Sequence, residues 1–216
     1  MAIIVYEGIN VSLGVLEKWH ITHYLPYINR RLSIEGTMQR GPYTEDMGLE
    51  WLKSQQEKRG KNEVFAVYRH DDSGEERQYV YIGNTDLHDI NREHSYATSG
   101  SMLFSFDDQG KGLGTEAKLL LLYHAFRVLG LRKVNSDVKA FNARSLGHLI
   151  KTGYKIIGRR EKHHLHDGDF VDNILLEIFR DSWEKIWARY KVDGTLPKLT
   201  KKERRRIEKE TNIKNK

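Results

Sequence analysis

Three glycines fall within five residues in Gln109-Gly110-Lys111-Gly112-Leu113-Gly114, between a β-rich run and an apolar helix expected from about Thr115 to Leu129. Such a turn lets successive backbone N–H groups converge on one point with no Cβ in the way. The helix that follows adds its unpaired first-turn N–H groups and the positive end of its dipole. Together they read as a pyrophosphate cradle, against the plainer alternative of a tight strand–helix corner without a ligand. A Walker A loop is excluded, because Lys111 precedes the last two glycines instead of following them. A dinucleotide fingerprint can be traced as Gly112-x-Gly114-x-x-Ala117, with Asp137 20 residues further on. However, Val138-Lys139-Ala140-Phe141 continues the strand past Asp137, and the chain lacks the repeated units of a doubly wound fold. A dinucleotide-dependent oxidoreductase is therefore the lesser alternative.

The elements around this turn are mixed. Ile3–Leu16 reads as a hairpin about Glu7-Gly8, and residues 17–31 as a helix that Pro26 kinks or breaks. Thr44, followed by Glu45 and Asp46, caps a helix to about Glu57. Glu63–Arg69 and Tyr79–Leu87 form a hairpin across Asp71-Asp72-Ser73-Gly74, with a third strand over Thr98–Phe106. Lys133–Phe141 alternates as a strand. Ala143–Thr152 is a short helix, Tyr154–Leu165 and Phe170–Phe179 pair around Asp167-Gly168, and Trp183, Ile186, Trp187 and Tyr190 mark a last amphipathic helix. The expected fold is mixed α/β, one sheet flanked by helices.

Charge divides the chain. The first 180 residues balance 24 basic against 24 acidic side chains, whereas the last 36 carry 12 basic and 6 acidic, so the net +6 of the 216 residues sits there. Lys198, Lys201, Lys202, Arg204, Arg205, Arg206 and Lys209 crowd together after Pro197. Such a tail can reach phosphate backbones or acidic partners; with Glu203, Glu208 and Glu210 interleaved, it also reads as a solvated, partly helical end. The expected division is a domain over 1–193 and a basic tail over 194–216. No apolar run is long enough to span a bilayer and no signal-peptide pattern opens the chain, so a soluble cytoplasmic protein is expected. With no cysteine, disulfides, thiolate metal sites and a cysteine nucleophile are all ruled out.

Residues 107–180 resemble the RimJ/RimL-type branch of the GNAT N-acetyltransferase superfamily. The segment from Asp107 to Arg160 carries G-K-G-x-G-T-E-A, a helix ending in L-G-L-R-K-V, then F-N-x-R-S and T-G-Y. The stretch HDGDFVDNILLEIFRDSW is similar to that branch's closing hairpin, and the N-terminal half matches more loosely. The resemblance implies a GNAT fold, a central, mostly antiparallel twisted sheet flanked by helices, and transfer of an acetyl group from acetyl-CoA to a primary amine. It implies that Gln109, Gly110, Lys111, Gly112, Leu113, Gly114 and Thr115 hold the pyrophosphate. It further implies that Met102, Leu103 and Phe104 pair with the pantetheine arm, one N–H polarising the thioester carbonyl. Asn142 is implied as a cofactor contact, with the plainer role of helix N-cap.

The resemblance makes Ser145 the proton donor to the departing thiolate, since Leu149 stands where many members have tyrosine. Ser145 is otherwise an ordinary helix-start residue. Ser99 replaces the frequent basic glutamate, leaving His164 as the proton acceptor or as an exposed strand residue. Asp172 orients the amine or fixes the hairpin. Tyr27 and Trp51, with Tyr24 and Glu50, are substrate candidates on the two variable helices, or core. His164 and His166 with Asp167 or Asp169 could form a metal site, but the resemblance implies no metal. It also implies a homodimer, and a protein N-terminus or a small-molecule amine as acceptor; the basic tail lies outside the resemblance, and ribosome or RNA contact through it is expected from its charge alone. The loss of both the tyrosine and the glutamate keeps a non-catalytic acyl-CoA-binding module as the alternative.

Overall fold

The computed structural model describes residues 2–30, 42–104 and 107–211. The strands are β1 (Ile4–Glu7), β2 (Val11–Val15), β3 (Glu63–Asp71), β4 (Gln78–Asn91), β5 (Tyr96–Leu103), β6 (Lys133–Lys139), β7 (Lys155–His166) and β8 (Asp169–Phe179). The helices are α1 (Lys18–Ile28), α2 (Glu45–Glu57), α3 (Leu113–Tyr123, extended by a π-turn over His124–Val128), α4 (Ala143–Lys151), α5 (Arg180–Asp193) and α6 (Lys201–Thr211). All eight strands form one sheet in the order β1-β2-β3-β4-β5-β6-β8-β7. Every neighbouring pair is antiparallel except β5 and β6. That one parallel step requires the crossover helix α3.

The expected mixed α/β architecture is present, with local differences. Pro26 leaves α1 unbroken because it lies in the last turn, two residues before Ile28. β4 runs on to Asn91 through a register shift, with Asp89 at φ +51°. β5 ends at Leu103, and residues 105–106 lie outside the described residues.

Apolar side chains fill both faces of the sheet. On one face α3 is wrapped all round: Leu119, Leu121 and Leu122 are completely buried between the sheet, Phe126 and Trp183. A helix enclosed in this way needs no polar stripe. Its buried Glu116 accepts from Ile9 N (2.6 Å), Asn10 N (3.0 Å), Asn10 Nδ2 (2.9 Å) and Tyr190 Oη (2.6 Å), tying the β1–β2 turn and α5 to the core. On the other face, α1 and α2 cover Tyr68, Tyr81 and Phe104.

The basic segment after Gly194 packs onto the body. Thr200 and Glu203 form a capping box: Glu203 N donates to Thr200 Oγ1 (3.2 Å), and Thr200 N donates to Glu203 Oε2 (2.7 Å). Ile207 is 7% exposed and belongs to the same core as α3. Arg159 Nη1 donates to Glu210 O at 2.9 Å, holding the end of α6 to β7. The cationic side chains of Lys201, Lys202, Arg204 and Arg205 remain exposed.

Candidate active site

β5 and β6 pair only through Tyr96↔Lys133, Ala97↔Val134 and Thr98↔Asn135. Beyond Thr98, β5 stays with β4 as far as Leu103, while β6 stays with β8 as far as Lys139. The sheet therefore opens into a wedge. Ser136 Oγ donates to Ser99 O (3.0 Å) at its apex, taking a carbonyl that a continued ladder would have used. Phe104 N donates back to Ile82 O (2.9 Å), so strand alternation turns the N–H groups of Ser101 and Leu103 into the wedge. Of the three expected arm-binding residues, only Leu103 presents its N–H there. Met102 shares the parity of Phe104, and the Phe104 ring stacks between Tyr24 (5.6 Å) and Tyr27 (5.8 Å) in the core.

The glycine turn lies at the wide end of the wedge. Gly110 and Gly112 hold φ of +80° and +88°, backbone that other residues adopt only with strain, and Gly112 caps α3 with no side-chain hydrogen bond to its N–H groups. The first-turn N–H groups, including those of Leu113, Gly114 and Thr115, have no partners within the helix. Gln109 donates from Nε2 to Leu103 O at 3.5 Å, while its Oε1 is buried without a partner among the described residues. Lys111 is exposed beside the turn. An open strand edge running to a ring of converging N–H groups fits an acyl chain ending in a pyrophosphate.

A cleft of about 460 Å³ occupies the wedge and brings together Asn142, Ser145 and His164 with Ser99, Lys118, Asp137, His148, Leu149 and Asn173. Asn142 caps α4, its Oδ1 accepting from Ser145 N at 3.0 Å, which leaves its amide nitrogen for a ligand. His164 is half-buried; burial, with His163 and Lys139 nearby, holds its imidazole below the ordinary value, which favours the neutral form that accepts a proton. Asn173 is 1% exposed and gives Nδ2 to Asp137 Oδ2 (3.0 Å), while its Oδ1 has no partner among the described residues.

The other expected residues are elsewhere. Asp172 spends both oxygens on the hairpin, accepting from Arg159 Nε (2.6 Å) and Lys162 N (2.8 Å). Tyr27 and Trp51 pack partly buried against the α1/α2 core. His166 stacks on Phe141 at 4.3 Å, and no group of three His, Asp or Glu side chains among the described residues is arranged to hold a metal. Asp137 lies inside β6, bonded to Asn173, and so does not take the strand-end position that a dinucleotide ribose requires.

Four polar groups escaped the sequence reading. Asp86 and His88 share the sheet face opposite α3, alternating with Leu87; His88 Nδ1 lies 2.6 Å from Asp86 Oδ2, and that carboxylate raises the His88 pKa. The Asp86 carboxylate lies over Gly100, where an added Cβ would come within 2.4 Å of Oδ1. Strand alternation in β4 could have exposed this pair. Lys118 and His148 sit on helices among apolar residues, and only the packing brings them to the cleft.

A family model, the acetyltransferase (GNAT) domain, matches residues 15–155. Spermidine N(1)-acetyltransferase of Escherichia coli (strain K12) is 29% identical over 146 residues, covering 64% of this chain and 75% of the relative. Among solved structures, spermidine N-acetyltransferase from Vibrio cholerae in complex with CoA and spermine superposes with a TM-score of 0.71 at 20% identity, covering 81% of this chain and 98% of that one. The RimL ribosomal L7/L12 alpha-N-protein acetyltransferase superposes with a TM-score of 0.69 at 14% identity, covering 83% and 95%. At these identities the two structures establish the shared fold. With the family match running through both strands of the wedge, the glycine turn and α4, this chain belongs to the GNAT acetyltransferases and is an N-acetyltransferase with acetyl-CoA as its cosubstrate.

Proposed function

We propose that the acceptor is a primary amine of the polyamine class and that the transfer is direct. The observation that carries this reading is the pair of carboxylates, Asp86 and Asp137, on the sheet face opposite α3. They flank the wedge where an amine would approach the acyl group, and each carboxylate can hold one ammonium of a polycation, set against Lys139 and Arg160 on the same cleft. The relatives' names point the same way.

In this reading the glycine turn and the amide of Asn142 hold the cosubstrate. The N–H groups of Ser101 and Leu103 polarise its carbonyl oxygen as preorganised donors. His164 takes the proton that the attacking nitrogen must lose, with Asn173 beside it. Ser145 lines the same cleft as a hydroxyl near the departing sulfur.

A second reading takes a protein N-terminus as acceptor, in keeping with the RimJ/RimL resemblance. The exposed cationic face of α6 favours it, because that face could dock on ribosomal RNA. The test is incubation with labelled acetyl-CoA, spermidine and a set of N-terminal peptides, followed by mass spectrometry and thiol release. Acetylated spermidine with inert peptides is expected. Acetylated peptides with inert spermidine would replace the first reading by the second. CoA binding without any transfer would make the chain an acyl-CoA-binding module.

A further inference from the structure

Lys118 is a fully buried cation with no carboxylate within ion-pairing distance among the described residues. It lies in the second turn of α3, 1% exposed, and its Nζ donates to Gly100 O at 3.2 Å. An ammonium carries three donors, and burying one without a counter-ion is strongly disfavoured. Folds keep such groups most often where chemistry uses them. Lys118 reaches the floor of the wedge cleft, beside Leu149 and below the strand edge that fits an acyl chain.

Ser145 is the rival donor in that cleft, and the other hydroxyl and imidazole groups around Lys118 are already engaged. Ser99 Oγ and Tyr154 Oη are bonded to each other at 2.8 Å. Ser136 donates its hydroxyl to Ser99 O. His148 donates from Nε2 to Gly114 O (2.9 Å), and burial, with Lys118 adjacent, holds its pKa at about 3, so it carries no transferable proton at neutral pH. The charged groups that act on Lys118 are His148 on α4 and Asp86 on β4, and Asp137, Lys139, Arg160, His163 and His164 line the same cleft.

We propose that Lys118 is a catalytic residue of the acetyl transfer, the acid that protonates the departing CoA sulfur. The assignment rests on the acetyltransferase reading. As the acceptor nitrogen bonds to the acyl carbon, the carbon–sulfur bond breaks and sulfur keeps the electron pair. Sulfur takes one proton from the Lys118 ammonium, and the nitrogen gives one to His164. Lys118, left neutral, regains a proton from solvent while His164 releases its own, so amine and thioester become amide and thiol with protons balanced. Burial brings the Lys118 pKa down to about 8. That lies near the ordinary value of a thiol, about 8.5, so the transfer is close to level.

The test compares the full-length protein with Lys118→Met and Ser145→Ala, the second removing the rival donor. Calorimetry measures CoA binding, and thiolate absorbance follows the pH titration of the bound CoA thiol. Lys118→Met is expected to bind CoA within about threefold of wild type, since methionine matches the lysine stem in length. Its bound thiol should titrate at higher pH, and kcat should fall about 10²–10⁴-fold. Ser145→Ala should leave the thiol titration where it was. A thiol titration unmoved by Lys118→Met, or moved only by Ser145→Ala, overturns the assignment. If wild type bound no CoA, the acetyltransferase reading would fall and this assignment with it, an outcome distinct from binding with an unmoved titration.

Discussion

Replacing Lys118 with methionine should make the protein more stable while it becomes less active. The free lysine value of 10.5 falls to about 8 in the folded chain, and desolvation is the leading cause. At 1.36 kcal/mol per pKa step, holding the ammonium inside costs roughly 3 kcal/mol at pH 7. Methionine removes that cost and gives up one hydrogen bond, worth about 1 kcal/mol. Gly100 O keeps a donor in Thr85 Oγ1 at 3.0 Å, so no buried carbonyl is stranded. The net gain is about 2 kcal/mol, or a Tm rise of about 4–8 °C for a chain of this size. The sign with pH follows from proton counts. Between about 8 and 10.5 the unfolded chain holds more protons at this site than the folded one, so wild-type stability climbs through that window. The advantage of Lys118→Met should therefore be full at pH 7 and vanish near pH 10.5. Urea unfolding of both proteins at pH 7 and pH 10, compared as a difference, cancels the titration of every other group. A variant less stable than wild type by the same amount at both pH values would refute a desolvated ammonium at this position.

Gly112→Ala should cost about 1–2 kcal/mol and weaken CoA binding tenfold or more by calorimetry, because its φ is +88° and a Cβ would lie 2.8 Å from Leu196 Cδ1. Glu116→Ala removes the acceptor of four donors, of which only Ile9 N keeps another in Tyr190 Oη at 3.2 Å, and should lower the urea-unfolding free energy by about 3 kcal/mol. His164→Ala should lower kcat at least about 10²-fold. It should also erase the acidic limb of the kcat/KM profile, which in wild type rises with pH through an inflection below 6.5 because burial lowers that imidazole. Ile207→Ala should cost about 2–4 kcal/mol by opening the core under α6, seen as a lower Tm; no change would mean α6 does not stay docked in solution.

The fold was largely legible because its signals are local. Hairpins announce themselves at Asp71-Asp72-Ser73-Gly74 and Asp167-Gly168, and Thr44 caps α2 through Met47 N at 3.3 Å as its sequence suggests. The glycine turn is equally local, since left-handed backbone at Gly110 and Gly112 demands that residue type. The basic terminus was half legible. Its charge reads plainly, yet the Thr200-x-x-Glu203 box was a signal within reach, and the docking of Ile207 depends on Gly147 of α4, a neighbour the sequence does not reveal.

By itself, the sequence determined a mixed α/β chain with a phosphate-type turn, no cysteine chemistry and a charge excess confined to its end. Each of these depends on residue type and on neighbours a few positions away. The tertiary structure alone decided which polar groups meet. Gly100 and Lys118 are 18 residues apart and Asp137 and Asn173 are 36 apart, and nothing in local propensity joins either pair. They come together because β5 leaves β6 after Thr98 and a buried helix passes beneath the gap. The positions of the cleft and its buried ammonium are consequences of strand order and packing, which no window of sequence contains.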